Sequence, residues 1–131
     1  MSNYLIDTQI LIWTIIEPKR LSNNTILQEH TISVSQISIF EIAIKQKIGK
    51  LSALNISIEE LLKRIELDNF QILPIKNEHI ANYSQIPLLP DHRDPFDRLI
   101  LATALSENMP LISADEKFTN YQYLIQLITN S

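Results

Sequence analysis

The sequence contains no cysteine. Disulfides and thiolate metal sites are therefore excluded, and the fold must be held by packing and hydrogen bonding. Glycine is almost missing as well, with Gly49 the single example, which excludes a Gly-rich phosphate loop and a flexible Gly/Ser linker. No apolar run approaches the roughly 20 residues that span a bilayer. The leading MSNYLIDTQILIW has no basic opening and puts Asp7 inside what would be an apolar segment, so export is not expected and a cytoplasmic location is. Positive charge is also in short supply: 11 Lys and Arg stand against 15 Asp and Glu, for a formal charge of −4. Global attraction to nucleic acid is thereby excluded. Any phosphate-binding surface has to be a local cluster or to be helped by bound cations.

What is present fits one domain over residues 1–131, a length at which roughly two-thirds of the unfolded chain's surface can be buried. NYLI (3–6) is a β-prone run, followed by a helix from about Gln9 to Ile16 that stops before Pro18. HTISVS (30–35) reads as a second strand. The IFEIAIKQKIGK after it keeps Phe40, Ala43, Ile44 and Ile48 at helical spacing, with Gly49 suited to its stop. Ser57 caps a helix with Ile58, Leu61, Leu62, Ile65 and Leu67 along one stripe, and QILPI (71–75) is a third strand. A helix near Asn77, a second from Asp94 to about Glu107, the short strand LIS (111–113) and a final YQYLIQLI, strand or helix, complete the chain. Strands alternating with helices predict an α/β sandwich with a mainly parallel sheet.

The acidic residues fall at particular places in this pattern. Asp7 follows the first strand, Asp115 follows a late one, Glu41 lies in the first turns of the helix after the second strand, and Asp97 lies in the first turn of its helix. In a parallel sheet these junctions share one edge, so the four carboxylates are candidates for a single pocket. Each also has a structural explanation. Asp94 can cap a helix that has Pro95 at its first position, and Asp97 can favour the helix dipole. Glu41 can complete a capping box with Ser38 in SIFE and pair with Lys45. Asp7 can cap the segment beginning at Thr8, and Asp115 can shape a turn.

Four blocks, YLIDTQILIW, ISIFEIAIKQKIGKL, LPDHRDPFDRLILATA and PLISADEKF, together resemble PIN-domain proteins, and more closely the VapC-type ribonuclease toxins of prokaryotic toxin–antitoxin pairs. The resemblance implies a three-layer α/β/α sandwich and divalent-metal-dependent cleavage of RNA. It assigns the acidic roles, catalytic and metal-binding, to Asp7, Glu41, Asp97 and Asp115, with Asp94 supporting them or capping its helix. It also implies a homodimer, a cognate VapB-like antitoxin and no membrane association. Two positions depart from the usual pattern: Gln9 stands where many such toxins have histidine, and Phe40 where tryptophan is frequent. Neither change removes an acid.

Clustered carboxylates repel unless a proton or cation compensates, and Mg2+ or Mn2+ accepts hard oxygen ligands. One ion or two would serve. Lys45, Arg93 and Arg98 lie near the acidic blocks and are candidate contacts for substrate phosphates, or else solvated helix-face charges. His30, His79 and His92 have no metal-ligand spacing, and Trp13 with the apolar face around Leu11 is expected in the core, the alternative being a homodimer surface. Two other functions fit less of the sequence. A noncatalytic RNA or protein interaction module would leave the acids as helix caps. An aspartate-based phosphatase would want a second acid two residues after Asp7, where DTQIL has none.

Overall fold

The computed structural model describes residues 3–130. Met1, Ser2 and Ser131, the ends of the expected 1–131 domain, lie outside the described residues. Strands β1 (Asn3–Ile6), β2 (Thr31–Ser35), β3 (Gln71–Leu73), β4 (Leu111–Ser113) and β5 (Leu127–Thr129) form one sheet in the order β3-β2-β1-β4-β5. Every pairing is parallel. Parallel neighbours cannot be joined by tight turns, so the connections pass over the sheet faces. Helices α1 (Thr8–Ile16) and α2 (Asn24–Glu29) lie between β1 and β2, α3 (Gln36–Lys47) and α4 (Ile58–Leu67) between β2 and β3, and α5 (Asn77–Tyr83) and α6 (Pro95–Glu107) between β3 and β4.

The two-residue period of the central strands divides the core into two layers. Leu5 and Leu111 point to one face, where they pack with Ile100 and Leu101 of α6 and with Phe118. Ile6 and Ile112 point to the other, against Ile10 and Leu11 of α1, Ile42 of α3 and Leu61 and Ile65 of α4. All four strand residues are fully buried. Truncating one of them, Leu5→Ala for example, would cost about 2–5 kcal/mol. That is a large share of the roughly 5–15 kcal/mol that holds a domain folded. Helices on both faces of a parallel sheet make the three-layer α/β/α sandwich.

Three local expectations are corrected. The helix α3 does not bury the stripe Phe40, Ala43, Ile44 and Ile48: Phe40 and Ile48 are exposed, while Ile37, Ser38, Ile39, Glu41 and Ile42 are buried. It also starts earlier than SIFE suggests. Ser35, whose hydroxyl accepts from the Ile37 N–H at 3.2 Å, is its cap, which places Ser38 inside the helix and removes the capping box. The short helix α2 was not expected; its Ile26 and Leu27 are only half-buried against the core. YQYLIQLI is mostly turn: Tyr121 ends a 3-10 segment, Glu116–Tyr121, and only Leu127 and Ile128 enter the edge strand β5. Gly49 does end α3, at φ 75°: its N–H bonds the Gln46 carbonyl and the Lys50 N–H bonds the Lys45 carbonyl, an arrangement that favours glycine.

Candidate functional site

From β1 the chain moves outward through β2 to β3, whereas β4 and β5 lie on the opposite side of β1. The connections therefore diverge between β1 and β4, which opens a crevice beyond their C-terminal ends. The residue following β1 is Asp7, and Asp115 follows β4 by two residues. A cleft of about 330 Å³ opens there, lined by Asp7, Glu41, Asp97 and Asp115, with Asp94 at the same site.

Asp7 is a buried N-cap. One carboxylate oxygen accepts the Ile10 N–H at 2.9 Å and the other accepts the Ser113 hydroxyl at 2.5 Å. Ser113 in turn accepts the Asp115 N–H at 3.0 Å. A single hydroxyl at the end of β4 thus ties the two acids together. Asp115 caps the following 3-10 segment through the Lys117 N–H at 2.9 Å. Glu41 enters from α3 and is buried, with one oxygen 2.7 Å from the Thr8 hydroxyl and the other 3.1 Å from the Lys45 ammonium. Thr8 and Ser38 hydroxyls lie 2.9 Å apart, which links the start of α1 to α3 beneath the glutamate.

The stretch HRDPFDR supplies the remaining wall. Asp94 caps α6 through the Phe96 N–H at 2.9 Å, with Pro95 at the first helical position. One turn later Asp97 projects into the cleft, where His92 Nε2 lies 3.2 Å from its Oδ2. Ligand-capable atoms of His92, Asp97 and Asp115 fall within 4.8 Å of one another. His92 escaped the sequence reading because its proximity to Asp115 is purely tertiary. Ser113, Thr8 and Ser38 escaped it because hydroxyl residues carry no motif of their own at these spacings.

Among the basic candidates, Lys45 and Arg93 line the cleft. Arg98 does not, and its expected role as a phosphate contact is corrected. Its side chain is buried and turns away, donating to the carbonyls of Ile86 at 2.6 Å and Pro87 at 2.7 Å and to the Tyr83 hydroxyl at 3.2 Å. It fastens the loop before Asp94 onto α6. Trp13 is half-buried against the core and stacks beneath the Arg20 guanidinium, 4.1 Å from the ring centre.

The electrostatics follow from burial. Removal from water pushes the Asp7 carboxyl up to about 7, against the lowering effect of the Ser113 and Ile10 hydrogen bonds, and the charges of Asp97 and Asp115 push it further the same way. Burial likewise raises Asp97 to about 6, with Asp94 adding to the effect and the His92 hydrogen bond opposing it. Near neutral pH these groups share a proton or need a counter-charge. Lys45 supplies one to Glu41. Neither oxygen of Asp7 has a basic side chain as hydrogen-bond partner among the described residues.

This oxygen-rich, water-accessible donor set has the chemistry of a site for a hard divalent cation. The description "PIN domain" belongs to the family model that matches residues 4–123. A search of curated protein sequences gives no match. Among solved structures the chain is similar to VapBC2 from Rickettsia felis bound to a DNA fragment from their promoter, at 20% identity and TM-score 0.69 over 99% of this chain and 100% of the other. It is similar to DNA-bound VapBC from Salmonella typhimurium, at 16% identity and TM-score 0.70 over 100% of both chains. FitAcB from Neisseria gonorrhoeae follows at 22% identity and TM-score 0.64, over 97% of each chain. Likeness at these identities establishes the fold.

Proposed function

The chain belongs to the PIN-domain family, and from that premise we propose that it is a divalent-cation-dependent endoribonuclease, the VapC-type toxin of a pair with a VapB-like antitoxin. Nuclease chemistry is the general activity of the family. One observation carries the finer reading: Asp7, Glu41, Asp97 and Asp115, from four elements distant in sequence, line one accessible cleft while burial drives two of them toward protonation. Helix starts gather at this edge in any parallel sheet, but Glu41 caps no helix and still meets the aspartates in the cleft.

Asp7, Asp97 and Asp115 would hold Mg2+ or Mn2+, as one ion or two, with Glu41 completing the site directly or through water. A bound cation there would polarise the scissile phosphate, acidify water and offset charge on the leaving oxygen. The residues of the chain arrange the rest. Ser113 and the Ile10 N–H fix both oxygens of Asp7, and Thr8 fixes Glu41. Lys45 and Arg93 bring positive charge to the cleft for the phosphates on either side of the cut.

The proposal includes one catalytic domain, a homodimer, action in the cytoplasm and inhibition by an antitoxin that reaches the acidic cleft with an Arg or Lys side chain. None of the described helices is long and apolar enough to cross a membrane. The deciding experiment incubates purified protein with RNA in Mg2+ or Mn2+, with a chelator control, and maps the RNA ends. Cations should restore cleavage after chelation, and the saturated toxin–antitoxin complex should be inactive. Absence of cation-dependent cleavage would favour a noncatalytic interaction module, and release of phosphate from small esters alone would favour a phosphatase.

A further inference from the structure

Two of the acids in the cleft arrive on elements that have no covalent reason to keep a fixed separation. Asp97 stands on α6, and Asp115 caps the 3-10 segment Glu116–Tyr121. His92 touches both elements. Its Nε2 lies 3.2 Å from Asp97 Oδ2. Its ring packs at a tilt against Phe118 and Tyr121 of the 3-10 segment, with ring centres 5.2 and 5.5 Å away and interplanar angles of 53° and 58°. Phe118 and Tyr121 are fully buried and His92 is 2% exposed, so the imidazole is enclosed. Its backbone is also held, since the His92 N–H bonds the Leu89 carbonyl at 3.2 Å.

The geometry points to His92 as a positioning residue that sets the separation between Asp97 and Asp115. The inference rests on the cation-dependent nuclease reading and adds a role for a residue outside the acidic set. With a proton on Nε2 the ring donates to Asp97. The other nitrogen, Nδ1, is buried with no hydrogen-bond partner among the described residues. A solely structural role would be served as well by an apolar ring, which would avoid burying that unpaired nitrogen. What an apolar ring cannot do is hold the Asp97 carboxylate toward Asp115, and outer partners of this kind typically govern metal affinity about 10–100-fold.

The test separates ring from donor. Mn2+ binding to the full chain is titrated by the loss of the free-ion EPR signal, without RNA, for the parent, His92→Phe, His92→Gln and His92→Met. Phe keeps the packing and loses the donor, so Mn2+ affinity should fall about tenfold or more with the melting temperature preserved. Gln and Met are alike in length, and only Gln carries an N–H. Gln should recover most of the affinity and Met should not, a comparison that stands even if His92→Phe fails to fold. Parental affinity in His92→Phe, or equal affinity in Gln and Met, would overturn the positioning role and leave the nuclease reading intact. Nitrogen coupling from His92 to bound Mn2+ in pulsed EPR would also overturn it, by making the imidazole a direct ligand. A parent protein with no saturable Mn2+ site would overturn the nuclease reading and this inference together.

Discussion

Asp7→Asn should make the metal-free protein more stable, and increasingly so as the pH rises from 5 to 8. The buried carboxyl titrates at about 7 in the folded protein against 3.8 unperturbed. Between those values the folded state holds a proton that the unfolded chain has released, so folding takes up a proton and stability falls as pH rises. The full cost is reached above about 7. At 1.36 kcal/mol per pH unit the interval corresponds to about 4 kcal/mol as an upper bound, and local relaxation should leave about 2 kcal/mol to be observed. Asparagine is nearly the same shape and caps a helix as well as aspartate does. Its carbonyl can accept the Ile10 N–H while its amide faces Ser113, whose hydroxyl can turn to accept. The variant thus loses the charge while the residue at position 7 keeps both partners, and the one group left short is the proton of the Ser113 hydroxyl. Urea unfolding in chelator at pH 5, 6, 7 and 8 measures the difference. Asp97 titrates in the same window in both proteins, so the comparison isolates Asp7 and its interaction with Asp97. Added Mg2+ should stabilise the parent more than the variant, by about 2.7 kcal/mol at a hundred times Kd for any ligand that binds only the folded state. A pH-independent difference, or a less stable variant at pH 8 without metal, would refute the reasoning.

Asp97→Asn should abolish most cation-dependent RNA cleavage in a folded protein, whereas Asp94→Asn, which can still accept the Phe96 N–H, should lose less; cleavage assays paired with thermal melts check both. Lys45→Gln should weaken RNA binding at low salt and reduce the slope of log affinity against log salt by about 0.7, the contribution of one phosphate contact to a single strand. Identical slopes would remove Lys45 from the substrate path. Arg98→Met should behave in the opposite way, leaving that slope unchanged while costing about 3 kcal/mol in urea unfolding, because the carbonyls of Ile86 and Pro87 lose a buried charged donor.

The contrast between Lys45 and Arg98 shows where sequence is informative and where it stops. Both are cations near an acidic block, and spacing along the chain treats them alike. Which one faces the cleft depends on helix rotation and on the loop at 86–87, and neither is encoded locally. The same limit explains α3: isoleucines at 37, 39, 42, 44 and 48 offer more than one helical face, and only the sheet on one side and α6 on the other select the buried set. By contrast, the α6 boundaries were legible because Asp94, Pro95 and Asn108 each act on their own backbone; Asn108 takes the left-handed conformation that ends the helix. The sheet was legible because strands alternate with helices along the chain. The place of the acids followed from topology: any residue just after a parallel strand lies on that edge. His92 was not legible, since its ring partners at 118 and 121 meet it only after the layers close.

The structural and functional readings of the acids turn out to be one arrangement. Asp7, Asp94 and Asp115 each cap the helical segment that follows, as their positions suggest. A capping carboxylate commits one oxygen to a backbone N–H, which fixes the orientation of the group; in Asp7 the second oxygen is held as well, by the Ser113 hydroxyl. In a wholly parallel sheet, helix starts gather at the strand C-terminal edge, so fixed carboxylates gather there too. Capping therefore supplies the rigidity that a cation site needs. Burial supplies the other ingredient. It removes the water that would stabilise the negative charges, and Asp7 and Asp97 are left with carboxyl groups shifted toward neutrality. Caps on an open surface would be solvated and indifferent to a cation; caps crowded into one cleft are not. Glu41 supports the distinction, because it caps nothing, lies inside α3 and is still buried with both oxygens engaged. Helix initiation gives no reason for a carboxylate at that position; the Lys45 ion pair and the proposed cation site both do.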